Sequence, residues 1–164
     1  MIEVPRLASL VRDFGEQLHR VHHATLPDAD DHSLAIVTHV LEGRRAADGA
    51  DFDNARLQFA HAAVRLAYLA CPTGTAIERL LDFDRRQLRR LTVGADAGVG
   101  PWIDHSPMHH FDRALTHIVR VAYLLDPTTR DADERSVPDE AADAANYLVL
   151  FLAVRERMLA PSAP

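Results

Sequence analysis

Between Ala144 and Val154 the chain is apolar on nearly every side of a helix, with Asn146 the polar exception. A helix without a polar face has to be enclosed by other elements. The apolar run proper, Tyr147 to Val154, is far too short to cross a bilayer. The enclosure must therefore come from protein. With 164 residues, 48% of them apolar, the chain is long enough to supply it within a single domain, residues 1–164.

What surrounds this segment reads as helical too. Apolar residues recur at helical spacing and no convincing alternating strand appears, which predicts an all-α bundle of about six helices. Helix A runs from about Pro5 to His23, with Leu7, Leu10, Val11, Phe14, Leu18 and Val21 on one face. Helix B opens in the acidic stretch at residues 28–31 and stops near Gly49. Helix C, from about Phe52 to Ala70, stops before Pro72, because a residue preceding proline avoids the helical region. Thr75 caps helix D, which ends at about Leu91 and leaves the glycine-rich residues 92–102 as a loop. Helix E starts with Ser106 as N-cap and Pro107 at the first position, and ends before Pro127. Ser136 caps helix F, with Asp139 three residues on as a weak capping box. Helices B, E and F are expected nearest the centre, with C and D flanking. The echo of residues 64–73 in residues 119–128 needs no duplication, since two core helices meeting the same proline stop would read alike.

Charge and composition exclude several classes. A net charge of −6 argues against a nucleic-acid binder, which would want a basic face. All eighteen cations are arginine, which reads as a mark of a GC-rich genome rather than of a function. The single cysteine, Cys71, allows no intramolecular disulfide and no thiolate cluster. The N-terminal residues 1–14 carry no apolar signal core, so a cytoplasmic protein with no membrane partner is expected.

The first turns of helix F are unusual for so apolar a helix: they hold Asp139, Glu140 and Asp143. Asp139 and Glu140 suit the positive end of the helix dipole. Asp143 lies beyond the first turn, where a carboxylate at the edge of an enclosed helix is costly unless paired or bound to a cation. Glu140 and Asp143 share a face and can offer oxygens to one ion; two carboxylates with substrate phosphates are a usual way to hold Mg²⁺. Arginine would satisfy Asp143 equally well.

The pattern Glu140-x-x-Asp143-x-x-x-Tyr147, opening a long apolar helix, resembles the last core helix of the MazG-like all-α NTP pyrophosphohydrolases. The wording Asp143-Ala-Ala-Asn146-Tyr147 is similar to a stretch in phage-type nucleotide-modification-associated relatives, and helix E resembles the helix before it there. The resemblance implies a second pair of ligands on helix B, which here would be His39 and Glu42. It implies Mg²⁺ (or Mn²⁺) held by His39, Glu42, Glu140 and Asp143, with Glu42, Glu140 and Asp143 as the catalytic set. A metal-bound water would attack the α-phosphorus of a nucleoside triphosphate and release pyrophosphate. Arg113, Arg120 and Asn146 would contact the substrate, and a homo-oligomer is expected. His39 stands where the family has glutamate, and imidazole suits Zn²⁺, Mn²⁺ or Fe²⁺ better than Mg²⁺. Glu140 and Asp143 are expected to point into the bundle, toward helix B.

Two other readings compete. Ten histidines invite a histidine-ligated metal bundle of the DinB-like kind, drawing on His19, His22 or His23, on His61, and on one of His109, His110 and His117, with His105 just before that helix. The third reading is a helical interaction or assembly module without catalysis. Other features read as structural. Gly94, Gly98 and Gly100 form no phosphate loop, Ser33, Ser106 and Ser136 sit near helix starts, and Cys71 reads as a small buried apolar group. Trp102 reads as a lid residue packing on the bundle, and the run Arg85-Arg86-Gln87-Leu88-Arg89-Arg90 as a solvated face.

Overall fold

The computed structural model describes residues 9, 12–20, 32–71, 73–96, 105–126, 128 and 136–159. Six helices occupy them: α1 (residues 12–20), α2 (His32–Asp48), α3 (Phe52–Ala70), α4 (Ala76–Asp96), α5 (Pro107–Leu125) and α6 (Ser136–Leu159). Among the described residues there is no strand, so the all-α bundle holds. The outer ends of helix A, His22, His23, Trp102 and the polar residues 129–135 lie outside the described residues.

Helix α6 is the centre. Residues 141–146 are all buried, and α6 packs on α5, α3 and α4. The alanines at 141, 142, 144 and 145 let these neighbours approach closely, while Leu148, Leu150 and Phe151 fill the space further along. Aromatic rings join the layers: Phe151 meets Phe59 of α3 edge-on at 6.0 Å and Phe111 of α5 at 5.3 Å. Such rings bury large apolar areas in offset or edge arrangements. Each short turn reverses the chain, so α3 runs antiparallel to α2 and α4 antiparallel to α3. His117 against Glu140 and His110 against Tyr147 show that α5 runs antiparallel to α6.

The start and stop signals explain most boundaries. Ser106 accepts a bond from the His109 amide at 3.3 Å, with Pro107 in the first turn. Asp51 caps α3, and Cys71 ends it ahead of Pro72. Across the following turn the Cys71 thiol donates to Asp82 at 3.4 Å. Burial chiefly, together with that carboxylate, pushes the thiol up to about 11. Thr75 and Glu78 form a reciprocal capping box, with the Thr75 amide donating to Glu78 at 2.8 Å and Thr75 Oγ1 accepting from the Glu78 amide at 3.3 Å.

Four sequence-based expectations need correction. Helix α3, not α2, borders the centre: it packs on α2, α6 and α4, whereas α2 packs almost wholly on α3. The reason is composition, since α3 buries six alanines and so fits between neighbours on several sides. Helix α4 continues to Asp96 rather than ending near Leu91, because a glycine such as Gly94 costs a helix only about 1 kcal/mol. The arginine run of α4 is not wholly a solvated face, since Arg86, Gln87 and Arg90 turn toward α6. Ser136 is the first helical residue of α6 rather than the residue before it, and Asp139 pairs with Arg86 at 3.6 Å.

Candidate functional site

The acids at the head of α6 are drawn inward by the burial of that helix and meet basic side chains from both flanks. On the α4 side, Arg90 grips Asp143 with two parallel bonds, Nε to Oδ1 at 3.0 Å and Nη2 to Oδ2 at 2.6 Å. One helical turn earlier on each helix, Arg86 lies 3.6 Å from Asp139. The two pairs repeat the same i, i+4 step, so α4 and α6 run parallel and in register here. Bidentate arginine–carboxylate pairs are the strong form of this interaction. The bonds to Asp143 hold the Arg90 guanidinium above its ordinary value, and Asp82 does the same for Arg86. Beneath the ladder, Gln87 and Asn146 are fully buried and bond reciprocally: Gln87 Nε2 donates to Asn146 Oδ1 at 3.2 Å, and Asn146 Nδ2 to the Gln87 carbonyl at 3.0 Å.

On the α5 side, Glu140 Oε2 accepts from His117 Nδ1 at 2.6 Å, and Arg120 approaches the same oxygen at 3.7 Å. His117 stacks on Tyr147 at 5.3 Å, and Arg113 lies over that ring at 5.8 Å. His110, Arg113, His117 and Arg120 follow one another at helical spacing along this seam. Chemically, the head of α6 is a set of carboxylates each already holding a cation of its own chain.

Glu140 and Asp143 do point into the bundle, but toward α5 and α4 rather than α2. The structure brings Glu140 and Arg120 together, sets Arg113 close by on Tyr147, and seals Asn146 under Gln87. It does not bring His39 or Glu42 to them. His39 Nδ1 lies 2.8 Å from Gln58 Oε1 of α3, and its ring stacks on His61 at 4.9 Å. Glu42 is exposed beside Arg45, 4.0 Å away. The physical reason is packing: α2 presents Ile36, Val40, Gly43 and Ala47 to α3, which points the intervening His39 along the α2–α3 seam. Among the described residues, the histidines that the DinB-like reading draws from different helices are also apart. His19 bonds Asp84 at 3.0 Å, His61 faces His39, and His117 holds Glu140. Burial chiefly, with His39 and Arg65 nearby, lowers the pKa of His61. Among the described residues, no three histidine, cysteine, aspartate or glutamate side chains have their ligand atoms gathered for a metal ion.

Sequence reasoning missed Arg86, Gln87 and Arg90 as partners of α6. Only a partial signal was present: Arg86 and Arg90 repeat the i, i+4 step of Asp139 and Asp143, but Arg85 and Arg89 repeat it equally. It also missed the spacing His105-x-x-x-His109 at the start of α5. No helix among the described residues is long and apolar enough to cross a membrane. No protein-family model, curated protein or solved structure matches the chain.

Proposed function

We propose that the protein is a helical assembly module that associates with a second copy of itself through the outer edges of α2 and α5. The apolar surface on those edges carries the reading. Val37 and Leu41 of α2 and Met108 and Val119 of α5 are all exposed, Val119 at 66%; Leu34, in line with the α2 pair, is exposed at 65%. Single exposed apolar residues are ordinary, but several on adjoining edges mark an interaction surface.

Arg44 of α2 sits 4.9 Å above the Phe111 ring of α5, which ties the two edges together at one level. The helices run in opposite directions. Moving away from that level therefore passes Leu41 and Val37 on one edge and Leu115 and Val119 on the other. Two antiparallel apolar ridges form a face that can be its own complement after a two-fold rotation, the commonest closed symmetry. Glu42 and Arg45, both exposed on α2, carry opposite charges, so an inverted copy can set one against the other.

The ion pairs at the head of α6 favour the same reading over a MazG-like hydrolase. Asp139, Glu140 and Asp143 spend their charge joining α4 and α5 to α6. A hydrolase would need α2 to bring His39 and Glu42 across the bundle and the arginines to release the acids.

Sedimentation velocity over a wide concentration range tests the proposal. The wild-type chain should form a dimer, and Leu41→Asp or Val119→Asp should each give a monomer with unchanged helical circular dichroism. A wild-type chain that stays monomeric throughout overturns it. The same preparations should release no pyrophosphate from nucleoside triphosphates with Mg²⁺ or Mn²⁺; release that Glu140→Gln and Asp143→Asn abolish would restore the hydrolase reading.

A further inference from the structure

Three imidazoles meet where α5 begins. His105 precedes the cap Ser106, while His109 and His110 lie in the first turns of the helix. The residue before an N-cap commonly packs against the fourth helical residue, and both are usually apolar; here they are His105 and His110. Ring centres are 4.1 Å apart for His105 and His109, 5.8 Å for His109 and His110, and 6.3 Å for His105 and His110.

His110 is the unexplained member. It has no exposed surface, and among the described residues neither of its ring nitrogens has a hydrogen-bond partner. A neutral imidazole carries one donor and one acceptor, and burying both unpaired is costly. Such a group calls for a bound water or ion. Burial chiefly, with His109 and His105 adding, depresses its pKa to about 4.

We infer that His105, His109 and His110 bind a borderline divalent metal ion such as Zn²⁺ or Ni²⁺, at a site separate from the α6 acids. Three imidazoles on one tetrahedral ion, each nitrogen at about 2.0–2.1 Å, put their ring centres roughly 5 Å apart. The observed separations bracket that value. As the rings stand, their nitrogens do not converge. His105 and His109 are exposed, however, and a half-turn about χ2 exchanges the nitrogen and carbon edges of an imidazole while leaving its centre in place. An all-imidazole donor set completed by water suits Zn²⁺, Ni²⁺ or Cu²⁺ and not Mg²⁺.

The test is calorimetric titration of the untagged, chelator-treated chain with Zn²⁺, Ni²⁺ and Mg²⁺, with Co²⁺ absorption as a second readout. One Zn²⁺ per chain is expected, with visible Co²⁺ bands of a nitrogen-ligated ion and no response to Mg²⁺. His109→Ala and His105→Ala change exposed side chains and should leave the fold intact while weakening Zn²⁺ by at least roughly tenfold, the scale on which loss of a ligand-shell group acts. His61→Ala, at the other histidine pair, should change nothing. Absence of Zn²⁺ and Ni²⁺ binding would mean that a water satisfies His110 and overturns the site. So would binding that survives His109→Ala, or Mg²⁺ binding of equal strength.

Discussion

Asp143 keeps 8% of its side chain exposed and gives both carboxylate oxygens to Arg90, which keeps 36%. Removing one member of a buried pair costs about 3–5 kcal/mol. Arg90 can turn partly to water, so Asp143→Asn should cost less, about 2–3 kcal/mol in denaturant unfolding, allowing for the discount that exposure brings. The sign decides between readings, because crowded metal ligands without their ion would be relieved by the same change and the chain would gain stability. His110 sets a pH dependence. Its folded pKa of about 4 lies below the ordinary 6.5, so the unfolded chain takes up a proton first as the pH falls. Its contribution is complete above about pH 6.5 and lost progressively toward pH 4, up to roughly 3 kcal/mol. His61, also lowered, acts in the same direction. Unfolding of the metal-free chain across that range, compared with His110→Phe, checks the assignment: the variant should show a flatter acid limb.

At the level of elements, the α2–α3 seam depends on a missing side chain. A Cβ at Gly43 would run into the ring of Phe59, which is fully buried and packed against Phe151. Gly43→Ala gains about 1 kcal/mol of helix propensity, yet overpacking of about 1–3 kcal/mol or more should outweigh it. Denaturation should show a net loss with helical content kept. The sequence made the ends of α3 and α5 legible, because Pro72, Ser106 and Pro107 act locally. The head of α6 was legible as a place where acids are forced inward. Their partners were not, since α4 carries arginine at 85, 86, 89 and 90 and only tertiary packing selects which of them meet α6. The centrality of α3 was hidden for a related reason: an alanine-rich helix shows little contrast between its faces, and the contrast is what periodicity reads. His39 had the opposite defect, sitting in a suggestive motif while belonging to the α2–α3 polar seam.

Across the molecule, α6 is enclosed by α3, α4 and α5, while α2 is fastened mainly to α3 and presents its far edge outward. If that edge joins a second copy, stability and concentration are linked. The melting temperature of the wild-type chain should rise with protein concentration, and that of Leu41→Asp should not; parallel behaviour of the two would count against the assembly face. The α3–α4 turn adds a way to watch the bundle at work. Its one thiol, at Cys71, is held by Asp82 and raised to about 11, so little nucleophilic thiolate exists at neutral pH while the turn is closed. Opening returns the group to its ordinary acidity. The rate at which a maleimide or iodoacetamide consumes it is therefore a built-in clock for local breathing between α3 and α4, readable by mass spectrometry without introducing any label or substitution.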